Sequence, residues 1–222
     1  MIKSTIIMDY DRRARCGIEE AVFCESKTVE QIAGILSQSL QRGHRLLLTR
    51  IDDHKIAALD DDLQKKITHF SQARCAILGA IYPEQEPARV AIVSGGSSDA
   101  STCYEIQTTL NYHGIACDMF QDVGVAAMWR LLQIVDQLEE YDVVIAVAGM
   151  EAALPTVLAG FITSPIIAVP TSVGYGVAAG GHTALASCLA SCSGGVMTMN
   201  IDNGYGAACA AIKISQKIRR YS

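Results

Sequence analysis

The run Val90-Ala91-Ile92-Val93-Ser94-Gly95-Gly96-Ser97-Ser98-Asp99 decides the fold. Four apolar residues read as a buried strand, the glycine pair as a tight turn, and the Ser/Asp cluster as the start of a helix over residues 98–112. The same unit then recurs. Residues 115–120 read as a strand, 125–138 as one amphipathic helix, 143–148 as a strand of nearly pure Val, Ile and Ala, and 151–161 as a helix interrupted by Pro155. A strand over 166–169 is stopped by Pro170, a helix follows over 182–191, then a strand over 196–199 and a closing helix over 207–219. Strands alternating with helices predict an α/β fold with a doubly wound, mostly parallel sheet in three layers. Right-handed crossovers bring every strand-to-helix loop to one edge, where open sheets bind ligands.

Ahead of this core the rhythm differs. Residues 1–25 are charged and irregular, with Asp9, Asp11, Arg12, Arg13 and Arg15 clustered. Thr28 has the character of an N-cap, and Ile32, Ile35, Leu36 and Leu40 give a helical stripe ending near Gly43. Residues 46–51 read as a strand, 60–70 as a helix and 76–82 as a short strand, a small N-terminal α/β extension. The polar Pro83-Glu84-Gln85-Glu86-Pro87 reads as a linker, which divides the chain into 1–86 and 87–222.

Composition narrows the function. Half of the 222 residues are hydrophobic, 18% are charged, and the net charge is −5. No basic run or stripe appears, so nucleic acid is not an expected partner. No apolar leader precedes the core and no apolar stretch is long enough to span a bilayer, so a cytoplasmic, non-membrane protein is expected. Eight scattered cysteines without a CxxC pair then read as reduced thiols, most of them small core residues. The low charge fraction also suits extensive subunit contacts.

Four loops and one thiol carry the candidate chemistry. Gly95 and Gly96 allow close backbone approach, and Ser97, Ser98 and Asp99 can serve an anion or simply cap a helix. Gly149-Met150-Glu151 places a carboxylate in a first helical turn, favourable for the dipole alone or for acting on a ligand. The loop Pro170-Thr171-Ser172-Val173-Gly174-Tyr175-Gly176, running on to Gly180-Gly181-His182, is long and glycine-rich, and such loops are uncommon in compact domains without a use. Tyr175 can stack on a ring there. Asp202-Asn203-Gly204 reads as a plain turn or a holder of ribose hydroxyls, and the helix it opens could receive a phosphate. Cys192, in Ser191-Cys192-Ser193-Gly194-Gly195, is either a small buried hydrophobe or a nucleophile sharing one site with these loops.

Longer strings are more specific. Ser98-Asp99, Asp122-Val123-Gly124-Val125-Ala126, Val147-Ala148-Gly149-Met150-Glu151, Ala168-Val169-Pro170-Thr171-Ser172-Val173-Gly174-Tyr175-Gly176 and Asn200-Ile201-Asp202-Asn203-Gly204-Tyr205-Gly206 stand in an order that resembles the LarB family of nickel-pincer cofactor biosynthesis proteins. Beyond it lie the PurE-type aminoimidazole ribonucleotide carboxylases. The resemblance implies a PurE- or flavodoxin-like core and carboxylation of the pyridinium ring of nicotinic acid adenine dinucleotide by CO2. Hydrolysis of the phosphoanhydride follows, giving pyridinium-3,5-biscarboxylic acid mononucleotide and AMP. It implies Cys192 as the attacking thiol, Glu151 as proton acceptor or stabiliser of the pyridinium, and Ser97, Ser98, Asp99, Gly124, Gly149, Met150, Thr171, Ser172, Gly174, Tyr175, Gly176, Asp202, Asn203 and Gly204 as substrate contacts. CO2 or bicarbonate as co-substrate and a homo-oligomer, an octamer, are implied as well, and phosphoanhydride cleavage would gain from Mg2+ neutralising the phosphates. Trp129 before Arg130, Ala190 two before the thiol, and His182 depart from the family pattern. The PurE signature SAHRTP is absent, which weighs against purine synthesis. The alternatives are a PurE-type carboxylase or mutase on another nucleotide, and a non-catalytic nucleotide-binding homologue.

Overall fold

The computed structural model describes residues 6–81 and 89–221. The expected linker, 83–87, lies outside these residues. Contacts divide the chain into two units, 1–82 and 83–222.

The first unit contains α1 (Arg12–Cys16), β1 (Ala21–Phe23), α2 (Val29–Gln41), β2 (Leu46–Thr49), α3 (Asp53–Ala57), α4 (Asp61–Gln64), β3 (Ile67–Phe70) and β4 (Cys75–Leu78). Its sheet runs β1-β2-β4-β3, with β1 parallel to β2 and both other pairs antiparallel. The capping box expected at Thr28 forms: its hydroxyl accepts from Gln31 N–H at 3.3 Å and the Gln31 side chain accepts from Thr28 N–H at 3.0 Å. The stripe Ile32, Ile35 and Leu36 is buried against β2 and β4 residues such as Leu48 and Ala76. The single helix expected over 60–70 is not what forms. Asp60 caps α4 by accepting from Leu63 N–H at 2.8 Å, and the chain then leaves the helix. Ile67-Thr68-His69-Phe70, β-branched and aromatic, pair instead with β4. The strand β1 and the short helices α1 and α3 were not expected from the sequence.

The second unit contains β5 (Val90–Ser94), α5 (Ala100–Tyr112), β6 (Cys117–Phe120), α6 (Met128–Leu132), α7 (Val135–Leu138), β7 (Val143–Ala148), α8 (Ala153–Leu158), β8 (Ile166–Pro170), α9 (His182–Leu189), β9 (Val196–Thr198) and α10 (Gly204–Tyr221). All strand pairs are parallel, in the order β6-β5-β7-β8-β9. This is a doubly wound α/β sheet, with a switch point where the chain passes from β5 outward to β6 and then returns to β7. Every residue of β5, β7 and β8 is buried, as continuous apolar strands require. Strand residues alternate between faces. Ala91, Val93, Val144 and Ala146 meet Leu131, Leu138, Leu154, Leu158 and Ala184 from α6 to α9. On the opposite face α5 and α10 pack on each other, α5 on β5 and α10 on β7 and β8. Each fully buried Val, Leu or Ile side chain contributes about 1.5–3 kcal/mol.

Two local expectations change. The helix expected over 125–138 is a 3-10 turn, α6 and α7 in series, because Ile134 (φ −113°) leaves the helical ladder. Leu131, Val135 and Leu138 still all reach the core, so the amphipathic pattern survives a bent path. Pro155 does not interrupt its helix: α8 begins at Ala153, and a proline in the first turn removes no intrahelical bond. Pro170 is likewise the last residue of β8, paired with Ala148.

Candidate active site

The strand-to-helix loops of the second unit meet at the carboxyl edge of the sheet and are bonded to one another. Gly95 N–H donates to Val147 O at 2.9 Å, and Val123 N–H to Ser94 O at 3.0 Å. Met150 N–H donates to Val173 O at 2.8 Å, Thr171 N–H to Ala148 O at 2.9 Å, and Asp202 N–H to Pro170 O at 2.9 Å. Glycine is required at two of these approaches. A Cβ on Gly149 would lie 2.2 Å from Val173 O, and one on Gly124 would lie 2.4 Å from Gly95 O. Both neighbours are backbone, so neither can swing aside.

Asp99 is the polar centre of this cradle. It is 4% exposed. Its carboxylate accepts from Thr171 Oγ1 at 2.7 Å and from Gly96 N–H at 3.0 Å, joining the β5 and β8 loops. Burial raises its pKa above the ordinary value, against the lowering effect of these two donors, and the charge of Asp202 adds to the rise. Asp202, at φ 56°, accepts from Ser172 N–H at 2.8 Å and so joins the β9 loop to the β8 loop. Ser97, Ser98, Glu151 and Ser172 are exposed around this centre, and Tyr175 is 77% exposed. Gly174 and Gly176 flank Tyr175, with Gly174 packed on Ala178 O. Glu151 stands between Met150 (φ 53°) and Ala152 (φ 47°), two non-glycine residues in the left-handed region.

The start of α10 is already satisfied from within. Tyr205 N–H donates to the buried carboxylate of Glu105 at 3.2 Å, and Gly206 N–H to Asn203 Oδ1 at 2.9 Å. A Cβ on Gly204 would lie 2.7 Å from Glu105 Oε2. A phosphate at this helix start would have to displace a carboxylate of the chain itself. Nothing near Glu105 in sequence reveals this, since its partner is 100 residues away. The sequence marks Arg130 only by its family position, beside the departure at Trp129. It clasps the β6 loop, with Nη1 on Asp122 O at 2.7 Å and on the Asp122 carboxylate.

Cys192 is outside the strand-to-helix loops. It is on the α9-to-β9 connection, four residues before Val196, which pairs with Ile166 at the start of β8. Helix-to-strand connections of a parallel sheet lie toward its amino edge, whereas the residues flanking Cys192 are bonded to Thr156, five residues beyond Glu151. Among the described residues of the second unit Cys192 is the one exposed cysteine. Cys103 and Cys188 are buried, Cys117 and Cys209 partly so. Burial pushes the Cys103 thiol up to about 12 and raises Cys188 as well, which keeps both protonated. The flanks of Cys192 are held: Thr156 Oγ1 donates to Ser191 Oγ at 2.8 Å, and Ser193 Oγ donates to Thr156 O at 3.0 Å.

Among the described residues no group of three or more His, Cys, Asp or Glu side chains is placed to hold a metal ion. The nearest carboxylates, Asp99 and Asp202, are committed to Thr171, Gly96 and Ser172. A dedicated protein cage for Mg2+ does not fit these residues. The first unit carries a cleft of about 590 Å3 lined in part by Tyr10, His44, Arg13 and Arg45. Both arginines there hold Glu19, at 3.1 and 3.0 Å, so the cleft offers little uncompensated charge. No helix of the described residues is long and apolar enough to cross a membrane.

The chain is 33% identical over 219 residues to the uncharacterized protein MJ0165 of Methanocaldococcus jannaschii, covering 95% of this chain and 84% of that one. It is 33% identical over 129 residues to the N5-carboxyaminoimidazole ribonucleotide mutase of the same organism, covering 56% of this chain and 77% of the mutase. Crystal structures of a Treponema denticola PurE2 variant and of Treponema denticola PurE align at TM-scores of 0.44 and 0.41, with 20% and 19% identity. Each covers 60% of this chain and 91% of its own. Residues 4–80 match the LarB/PurE-like N-terminal domain family and residues 89–219 the AIR carboxylase family. With that second match spanning most of the parallel α/β unit, the chain belongs to the AIR carboxylase family, in a form that carries a LarB/PurE-like N-terminal domain.

Proposed function

We propose that this protein is a pyridinium-3,5-biscarboxylic acid mononucleotide synthase, acting at the first step toward a nickel-pincer cofactor. Membership of the AIR carboxylase family supports a carboxylase-type function in general. The N-terminal match and the thiol favour this particular one. The observation that carries the reading is Cys192: an exposed thiol with pinned flanks, in a unit whose buried thiols are held protonated.

In the reaction proposed, nicotinic acid adenine dinucleotide, CO2 and water give the biscarboxylated mononucleotide and AMP. A pyridinium ring has no nucleophilic carbon of its own. The Cys192 thiolate adds at C4, and the electron pair displaced onto the ring nitrogen makes C5 an enamine carbon. C5 attacks CO2. Glu151 then removes the C5 proton, the ring regains its aromaticity, and the thiolate leaves. Covalent catalysis splits one prohibitive step into easier ones. Ser97, Ser98 and Asp99 are assigned to the substrate and CO2, with Gly124, Gly149 and Met150 beside them. Thr171, Ser172, Gly174, Tyr175 and Gly176 are assigned to the pyridinium mononucleotide half, Asp202, Asn203 and Gly204 to ribose hydroxyls. Mg2+ is assigned to the phosphates of the dinucleotide rather than to a protein site, where it would neutralise charge during hydrolysis. The protein acts as a homo-oligomer, an octamer.

The test is mass spectrometry of the products formed from nicotinic acid adenine dinucleotide, bicarbonate and Mg2+, beside Cys192→Ala. Biscarboxylated mononucleotide plus AMP, lost in the variant, is expected. A folded wild-type protein that forms neither product sinks the proposal, and product from Cys192→Ala sinks the adduct.

A further inference from the structure

We propose that Thr156 is a positioning residue for the Cys192 thiol, an inference that rests on the nucleophile assigned above. Thr156 is on α8, the helix that follows the Glu151 loop. Its neighbours Leu154, Pro155 and Leu158 are buried, and the two leucines belong to the apolar core. A helical Thr hydroxyl ordinarily turns back to the carbonyl one turn earlier. This one instead donates to Ser191 Oγ, 35 residues along the chain. The Thr156 carbonyl is engaged as well. The α8 ladder tightens at its end, with Gly160 N–H donating to Val157 O, and Thr156 O accepts from Ser193 Oγ. Ser193 N–H also donates to Ser191 Oγ at 3.2 Å, which closes the ring of bonds. Cys192 sits between the two pinned serines with its own side chain exposed. Downstream, a Cβ added at Gly194 or Gly195 would meet nothing within 4 Å, Gly195 has φ +86°, and the next hold is the pairing of Val196 with Ile166. Between the end of α9 and Val196, Thr156 is the residue that ties both flanks of the thiol to another helix.

The experiment compares Thr156→Val, Thr156→Ser and Ser193→Ala in the full chain. Thr156→Val keeps the shape and removes the hydroxyl. It is expected to lower kcat for the biscarboxylated mononucleotide about tenfold, as a displaced nucleophile does, with KM for the dinucleotide within about twofold of wild type. Thr156→Ser restores most of kcat. Ser193→Ala removes the other half of the clasp and lowers kcat in the same sense. Hydrogen exchange followed by mass spectrometry adds a readout independent of turnover. The peptide covering residues 190–195 exchanges about fivefold faster in Thr156→Val, the loss of one hydrogen bond, and at the wild-type rate in Thr156→Ser. Unchanged exchange in Thr156→Val overturns the proposal, as does a kcat that Thr156→Ser fails to restore. If wild type forms no product, the reaction proposed above has failed, and the exchange rates still decide whether Thr156 orders the thiol.

Discussion

The cradle at the carboxyl edge and the Cys192 loop are held by different means. Cradle loops are joined backbone to backbone, through glycines packed against carbonyls and through one buried carboxylate. The Cys192 loop is joined by serine and threonine hydroxyls and continues into two glycines at which a side chain would find open space. Backbone bonding sets a shape that only a clash or the loss of the Asp99 bond disturbs. Hydroxyl bonding sets an orientation that a single oxygen atom can undo. The comparison suggests that the substrate surface is rigid and the reacting thiol is adjustable.

The most severe way to test this division is to remove the thiol. Cys192→Ala should abolish product formation by about three orders of magnitude or more, as loss of a nucleophile does, while its thermal unfolding stays that of wild type. A drop in stability would mean that the loop is structural. Next comes Gly149→Ala. Its Cβ has to displace Val173 O, and overpacking of this kind costs about 1–3 kcal/mol. Urea unfolding should show that loss together with lost substrate affinity, and wild-type affinity would show that the cradle is softer than its contacts suggest. Thr171→Val leaves the Asp99 carboxylate without its hydroxyl donor and should cost about 1–3 kcal/mol, read by the same unfolding curves.

The smallest effect is a pH dependence. Burial raises the Asp99 pKa above 3.8 in the folded chain. Between the unfolded and folded values the folded state holds the extra proton, so this group's contribution to stability falls as pH rises. Asp99→Asn lacks that term. Unfolding free energies of variant and wild type, compared from pH 4 to pH 7, should move in favour of the variant as pH rises. The slope should not exceed about 1.4 kcal/mol per pH unit. A trend in the opposite direction would mean that the Thr171 and Gly96 donors outweigh burial.

Much of the second unit is legible in the sequence because its signals are local. Val90–Ser94 and Val143–Ala148 are apolar runs ended by glycine or polar turns, and they form the strands expected. The first unit is less legible. The helical start at Asp60 is real, but Ile67–Phe70 joins a sheet that only β4 makes available. Glycines of the cradle could be read as close approaches, yet not what they approach: Gly149 meets Val173, and Gly124 meets Gly95. Asp99 reads as a helix cap, and nothing beside it announces Thr171, 72 residues on. Glu105 and Thr156 carry no local signal at all, since each is defined by a distant partner. Cys192 stands out as a thiol among glycines, but nothing beside it announces the tie of its flanks to Thr156.

The two left-handed residues that flank Glu151 have a thermodynamic corollary. Met150 and Ala152 occupy a region of backbone space that side-chain-bearing residues rarely enter, where glycine would rest without strain. Keeping them there gives up stability, yet it also removes most of the alternative shapes a glycine loop would sample. Ligand binding at this loop should therefore lose little configurational entropy. Calorimetry on a Met150→Gly, Ala152→Gly chain should show a more stable fold and a more unfavourable entropy of association.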